Sequence, residues 1–437
     1  MKGSSPHPHI FHQKIIISLF FLATFFSPLI SAHLTSAQTP IGDLQSKIDQ
    51  RNNDIKSLEK EISGYQKQLN DLDMQASSLS ATIKSLQLTQ KKLEADIKVT
   101  ENKIVEKNLI IQQLGGQISD KEENIADNRR VISRSYVVVH ELGNRSIPEL
   151  LLGEKSLSTA WNHIDQISMI QQGLVGHIKD LRTVKSGLET NKKATEKAEV
   201  ELQALNSQLK DQRSVVLNTT AQQNQLLKDT KQSEASYQAL LAQKKNLKDA
   251  FEKEVQTFEA QLRLNVDASK IPHTGSGVLS WPLDSITITQ YFGNTEFATA
   301  NAQIYNGKGH TGVDFRASIG TPVRSALSGT VTGVANTDLV RGCYSYGKWV
   351  MVRHDNGLST LYAHLSLQNV GIGEHVSTGQ VIGYSGNTGY TTGPHLHFSV
   401  YATEGVQITT LANSKNCRNA TIPLADFRAY LNPLSYL

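Results

Sequence analysis

Ser385-Gly386-Asn387-Thr388-Gly389-Tyr390-Thr391-Thr392-Gly393-Pro394-His395-Leu396-His397-Phe398 places three glycines and one proline ahead of a His-x-His pair. The glycines and the proline are turn chemistry, and the residues after them read as a strand. Residues two apart in a strand share a face, so His395 and His397 point the same way if extended. A second stretch, His310-Thr311-Gly312-Val313-Asp314, has the same property over four residues. His310 and Asp314 share a face if that stretch is extended, and Gly312 between them leaves out a side chain that would crowd a bound ion. A further histidine, His364, lies in Tyr362-Ala363-His364-Leu365.

Two imidazoles and one carboxylate form a common catalytic zinc set, with water in the fourth position. One member of the His-Leu-His pair can bind metal while the other faces that water. Zinc would acidify the water and polarise a carbonyl. Either motif alone is weak, because a lone His-x-x-x-Asp is common by chance and a lone His-x-His is more often a surface strand. Two such motifs bordered by glycine-rich turns in one domain point to a metal site. His354, next to Asp355-Asn356-Gly357, reads as a strand-end or turn residue, and His375 as an exposed turn residue. His140, His163 and His177 have no partner spacing.

Outward from these motifs the chain divides in two. After position 274 come 20 of the 30 glycines, and segments such as Gly329–Val334 and Leu396–Tyr401 alternate as strands do. This predicts a mostly antiparallel β domain over 277–437, reached through a linker at 265–276. Between Pro40 and Pro272 the only proline is Pro148. There Ile48, Ile55, Ile62, Leu69, Ala76, Ile83, Gln90, Ile97, Ile104, Ile111, Ile118, Ile125 and Ile132 recur every seven residues. Leu44, Leu58, Leu72, Leu79, Leu86, Leu93 and Leu114 fall on the companion seam. The spacing predicts a coiled-coil helix over 41–135, roughly 140 Å long. A hinge of short helices is expected over 136–169, around Gly143–Pro148, and a less regular second helix over 170–264. The central break favours an antiparallel hairpin, while Ile and Leu on alternate seams also suit a parallel dimer. The fold class is therefore α + β and multidomain.

The formal net charge of +4 is no footprint of a nucleic-acid partner. Lys2, Lys14, the apolar run Ile15–Ile30 and small residues at Ala32 and Ala37 read as a secretory signal over 1–37, with a retained membrane anchor as the alternative. Export favours one disulfide between the two cysteines, Cys343 and Cys417.

Residues from about Gly277 to Tyr401 resemble the lysostaphin/LytM-type zinc endopeptidases. The resemblance rests on Trp281-Pro282, Tyr291-Phe292-Gly293, His310–Asp314, Gly320-Thr321-Pro322-Val323, Tyr362-Ala363-His364-Leu365 and Gly393–Phe398, in that order. It implies a duplicated-hybrid-motif β fold with a groove and one zinc ion held by His310, Asp314 and His397. It further implies His395 and His364 beside the metal, as general base and as oxyanion stabiliser, with peptidoglycan peptides as substrate. Ser399 stands where such proteins often carry Glu, outside the metal set. The stretches 337–346 and 407–418 look like insertions that a disulfide would pin near the groove rim, and Tyr305 is a further candidate oxyanion contact. The arm, through Ser146–Gly153 and Ser156-Leu157-Ser158, more loosely resembles the EnvC/PcsB type of division-associated protein. There the arm docks on a membrane complex of ABC-transporter type and restrains the peptidase. The expectation is an exported zinc endopeptidase of the cell envelope. The alternative is a non-catalytic activator or binding regulator of another wall hydrolase. A structural coiled coil would leave the five polar residues unexplained.

Overall fold

The computed structural model describes residues 41–73, 78–143, 157–231, 233–262, 271, 273–293 and 309–437. The expected signal at 1–37, most of the linker, the Gly143–Pro148 turn beyond its first residue, and Tyr305 lie outside the described residues.

Four helices form the arm: α1 (Ile41–Asp73), α2 (Leu79–Gly143), α3 (Leu157–Thr230) and α4 (Glu234–Gln261). Their sequences are rich in Lys, Glu, Gln and Leu, which lose little rotamer freedom in a helix. The stretch expected to be one helix over 41–135 is divided between α1 and α2. The Ile/Leu repeat runs through the break without a change of phase, so periodicity alone cannot reveal it. Ser78 marks the restart, accepting a hydrogen bond from Ala81 N at 3.2 Å as an N-cap does. α1 then lies antiparallel on α2, with Arg51 bonded to Asn102 and Gln113 reaching Gln45. α2 and α3 also run antiparallel, tied by Lys107–Glu201 at 2.6 Å and Asn191–Gln117 at 3.0 Å. The hairpin expected from the central break is therefore present within one chain. α3 ends at Thr230 and α4 begins at Glu234, and α4 packs on the β domain through Phe251. Among the described residues no helix is long and apolar enough to cross a membrane.

The β domain is a ten-stranded antiparallel sheet. Its main path is β1 (Ile288–Gln290), β2 (Val313–Arg316), β9 (His395–Ala402), β6 (Leu358–Gln368), β5 (Lys348–His354), β4 (Gly329–Asn336) and β7 (His375–Val376). β3 (Pro322–Arg324) pairs with β8 (Val381–Ser385), which pairs with β6; β12 (Tyr430–Leu431) pairs with β9. β10 (Val406–Thr410) and β11 (Thr421–Ala425) make a separate hairpin. Alternation sorts the side chains by face. Val313, Phe315, Tyr362, Leu396 and Phe398 enter the main core. Leu361 and Ala363, with Trp349, Met351 and Tyr401, pack on the opposite face. That second face carries the histidines.

The arm is rooted on the β domain at two places. Leu86 and Leu93 of α2 and Val215 of α3 share a cluster with Ile319 and Tyr384. Gly320 has φ +88°, and a Cβ there would sit 2.4 Å from Leu93 Cδ2, so only glycine permits this approach. At the second place Phe251 of α4 is 1% exposed and packs with Cys343, Leu411, Cys417 and Ile422. Cys343 and Cys417 are bridged, as expected, with their Cα atoms 4.7 Å apart. The Glu254 carboxylate accepts from Ser414 Oγ at 2.8 Å and from the Lys415 and Asn416 backbone N–H groups.

Candidate active site

Strand register brings the polar set together. Asp314 on β2 is paired with His397 on β9, and His397 with Ala363 on β6. His395 shares the His397 face, as period two requires. His310 precedes β2 and is held by a bridge to Gly293, so the stretch 310–314 is extended only from Val313 onward. A Cβ on Gly312 would lie 2.8 Å from His397 Cε1 and 2.5 Å from the Phe398 carbonyl oxygen. The glycine thus makes room for the neighbouring strand and its imidazole rather than for an ion.

His364 reaches the site by a different device. Tyr362 and Leu365 both enter the main core, so one residue between them is extra to the alternation. The register of β6 against β5 shifts there, and His364 has φ +61°. A bulge with a left-handed residue re-aims that side chain. It places the His364 ring 4.7 Å from that of His395 and 6.0 Å from that of His397.

Nε2 of His310, Oδ1 of Asp314 and Nδ1 of His397 converge. The separations are 3.0 Å between the two nitrogens, 2.9 Å from His397 to Asp314 and 3.3 Å from His310 to Asp314. These three residues are a possible metal site, all three buried. The far side of each ring is also engaged. His310 Nδ1 lies 3.1 Å from the Tyr291 carbonyl, and His397 Nε2 lies 2.9 Å from Ser399 Oγ. A ring whose outer nitrogen is so bonded presents its inner lone pair to a cation. The donor set fits zinc in type, number and supporting bonds.

His364 and His395 make no such bond to the triangle. Nδ1 of His364 bonds the Thr388 carbonyl at 2.9 Å and Nδ1 of His395 the Gly393 carbonyl at 2.8 Å. Each ring thus uses Nδ1 for a carbonyl and turns its Nε2 inward, that of His395 lying 3.7 Å from Asp314 Oδ1. Burial would raise the Asp314 carboxyl, but His395, His310 and His397 outweigh it and hold the group well below the usual carboxylate range. Burial, reinforced by the positive charge His395 and His397 can carry, drives His364 well below its ordinary value. Burial also lowers His397, against the pull of Asp314.

These side chains open into a cleft of about 490 Å³, one wall of which is α4, through Lys248, Phe251, Glu252, Val255, Gln256 and Glu259. Burial there pushes Glu252 up to about 7, against the attraction of Lys248 Nζ at 2.7 Å.

Residues 308–409 match the model of peptidase family M23, a span that holds all five polar residues. The chain carries a peptidase family M23 domain. Curated relatives include the DD-carboxypeptidase/endopeptidase Mpg of Neisseria meningitidis, 47% identical over 89 residues, or 20% of this chain and 19% of the relative. Glycyl-glycine endopeptidase ALE-1 of Staphylococcus capitis is 44% identical over 94 residues, 21% of this chain and 25% of the relative. The peptidoglycan DD-endopeptidase ShyA of Vibrio cholerae is 39% identical over 116 residues, 26% of this chain and 24% of the relative. The chain thus matches a quarter or less of the length of these relatives, and the arm lies outside the M23 domain.

Around the cleft the structure adds residues beyond those expected from the motifs. Ser399, read as a departure without consequence, is fully buried and bonded to His397. The carbonyls of Tyr291, Thr388 and Gly393 orient three imidazoles. Backbone groups carry no side-chain signature, so composition and spacing could not have found them. His354 is a strand-end residue as expected, and it is buried; His375 is exposed as expected but begins β7, paired with Thr330, instead of lying in a turn.

Proposed function

We propose that this protein is a zinc-dependent endopeptidase acting on the peptide part of bacterial peptidoglycan. The observation that carries the proposal is the convergence of His310, Asp314 and His397 on one point beside two further imidazoles in a cleft. When bound, zinc supplies Lewis acidity at that point. His310 Nε2, His397 Nδ1 and an Asp314 oxygen would hold it. The remaining chemistry belongs to His364 and His395. Each is fixed through its Nδ1–H, and each offers Nε2 as a proton acceptor to water in the cleft. The low proton affinity of His364 keeps it neutral and able to accept. A ring that has taken the proton can donate a hydrogen bond to the developing oxyanion or hand the proton to the leaving amine. The two roles expected of His395 and His364 are thus open to both rings by geometry. The likeness to ShyA, a peptidoglycan DD-endopeptidase, supports a wall peptide as substrate, and such a substrate lies outside the cytoplasm, in keeping with export through the stretch 1–37.

The arm is proposed to regulate the site. α4 walls the cleft, and Phe251 and Glu254 fasten it to the loops joined by the Cys343–Cys417 bridge. Lifting α4 would widen access without touching the donor set. The last turns of α2 and the first turns of α3 expose Tyr136, Val137, Leu157 and Trp161. This apolar surface is consistent with docking on a membrane partner such as the ABC-transporter-type complex.

The test is release of new amino termini from purified peptidoglycan by the zinc-loaded chain, by the chelated chain, and by a Phe251→Ala variant. Zinc-dependent release that rises in the variant supports both halves of the reading. Zinc-independent release would sink the metal mechanism. No release from any form, with zinc bound, would move the protein to the non-catalytic activator class.

A further inference from the structure

α4 lays two lysines, one helical turn apart, on two aromatic rings of the cleft. Lys244 Nζ stands 5.3 Å from the centroid of the Tyr344 ring, and Lys248 Nζ stands 5.1 Å from that of Tyr390. Both distances fall within the range of cation–π attraction. Neither tyrosine belongs to the donor set, yet both line the cleft that holds His395 and His397. Tyr344 lies in the insertion-like stretch 337–346, next to the bridged Cys343. Tyr390 lies on the turn between β8 and β9, two residues after the Thr388 carbonyl that orients His364.

The two loops are fastened to each other independently of α4. Tyr390 N–H donates to the Ser345 carbonyl at 2.9 Å. Gly389 N–H donates to the Asp338 carboxylate, at 3.1 and 3.0 Å from its two oxygens. Gly347 backs onto Gly389 so closely that a Cβ would meet Gly389 N at 2.4 Å. The backbone that carries the rings is therefore fixed within the β domain. Asp338 supplies negative charge beside them: burial weakens the hold of Lys244 on its proton, and Asp338 and Asp229 oppose that loss. Two aromatic faces with a carboxylate alongside are a receptor for an alkylammonium group.

We propose that Tyr344, Tyr390 and Asp338 form an ammonium-binding subsite of the substrate groove, which Lys244 and Lys248 occupy while α4 is docked. The ligand class is a wall peptide carrying a free side-chain amine on a diamino acid residue. A bridge made only of glycine offers no side chain to this subsite. The inference rests on the wall-peptidase reading and adds a consequence. The arm and the substrate compete for the same rings, so the contact that holds the helix down also sets which peptide displaces it.

The test is a binding measurement, which separates it from turnover. A fluorescent stem peptide with an unblocked lysine, and its Nε-acetylated twin, are titrated into the zinc-loaded full chain carrying Phe251→Ala. Acetylation is expected to weaken binding about fivefold. Adding Tyr344→Leu and Tyr390→Leu should erase that difference while zinc content stays constant. Equal binding of the two peptides with the tyrosines intact overturns the proposal, as does a penalty that survives loss of both rings or an absence of binding by either peptide. Wall cleavage by the same chain is scored separately, so the peptidase reading can stand while the subsite falls. If Phe251→Ala does not fold, Lys244→Ala/Lys248→Ala replaces it. Emptying the rings should then raise affinity for the unblocked peptide severalfold over the native chain and leave the acetylated peptide unchanged. Equal affinity in the native and variant chains would refute the subsite.

Discussion

The arm and the β domain are held together in different ways. α2 and α3 meet through a long series of partly buried seam residues and exposed ion pairs such as Lys192–Glu122 and Arg213–Glu101. Each such ion pair contributes little, about 0–1 kcal/mol. The β domain instead buries Trp349, Tyr362, Phe315 and Phe398 below 2% exposure around strands of fixed register. The arm is a sum of interchangeable contacts, whereas the sheet places each side chain where no other position can substitute for it. Length and reach come from the first kind of construction, and the geometry of the polar site from the second.

The sharpest test of this contrast is a change at one atom of the site. Asp314→Asn keeps the shape of the side chain and removes the charge that His310, His395 and His397 face. Wall cleavage should fall about a thousandfold or more, since several kcal/mol of metal-borne stabilisation are at stake. Zinc content measured on the purified variant should fall with it, while circular dichroism stays native. Retention of full cleavage would show that the set is not the centre of the chemistry.

Stability should divide in the same way. Phe398→Ala, in the middle of the main core, is expected to cost about 3–5 kcal/mol by urea denaturation of the sheet. Ile111→Ala, on a half-buried seam position of α2, should cost about 1–2 kcal/mol. Equal losses would mean that the arm is as specifically packed as the sheet, and the contrast would fail.

A smaller effect is expected at Ser399, where the sequence was most misleading. The meeting of His310, Asp314, His395 and His397 at one place was legible because their residue types and spacings suit a metal site. The antiparallel β domain was legible because its glycines and alternating strands do. His364 was legible only through family resemblance, since simple alternation would send it to the wrong face and a bulge returns it. The lid-like position of α4 was not legible at all. Its residues continue a polar helical pattern that says nothing about what the helix leans on. The α1–α2 break was hidden for a related reason, because the repeat keeps its phase across it. Ser399 was set aside because it is neither a ligand nor a family-typical residue. With its Oγ 2.9 Å from His397 Nε2, it fixes which nitrogen faces the triangle. Ser399→Ala should weaken zinc binding about 10–100-fold in a chelator competition. An unchanged affinity would return Ser399 to a packing role.

The smallest expected effect uses a buried histidine remote from the metal set. His354 ends β5, with Nδ1 3.0 Å from the Ser328 carbonyl and Nε2 2.8 Å from Thr360 Oγ1. Burial lowers its pKa below the ordinary value of 6.5, against the opposing pull of Ser328 and Asp355. The folded sheet therefore prefers the neutral ring. A depressed pKa contributes stability that is fully present above 6.5 and is lost as pH falls through the folded value. The midpoint of β-domain unfolding should drop on acidification from about pH 7 to about pH 5. His354→Gln removes the titrating ring and should flatten that part of the profile, leaving any share due to carboxylates. The described part of the arm has no buried histidine, so its unfolding should lack this component. If His354→Gln left the sheet's profile unchanged, the ring would be accommodating protonation, and the rigidity attributed here to the sheet would not extend to the end of β5.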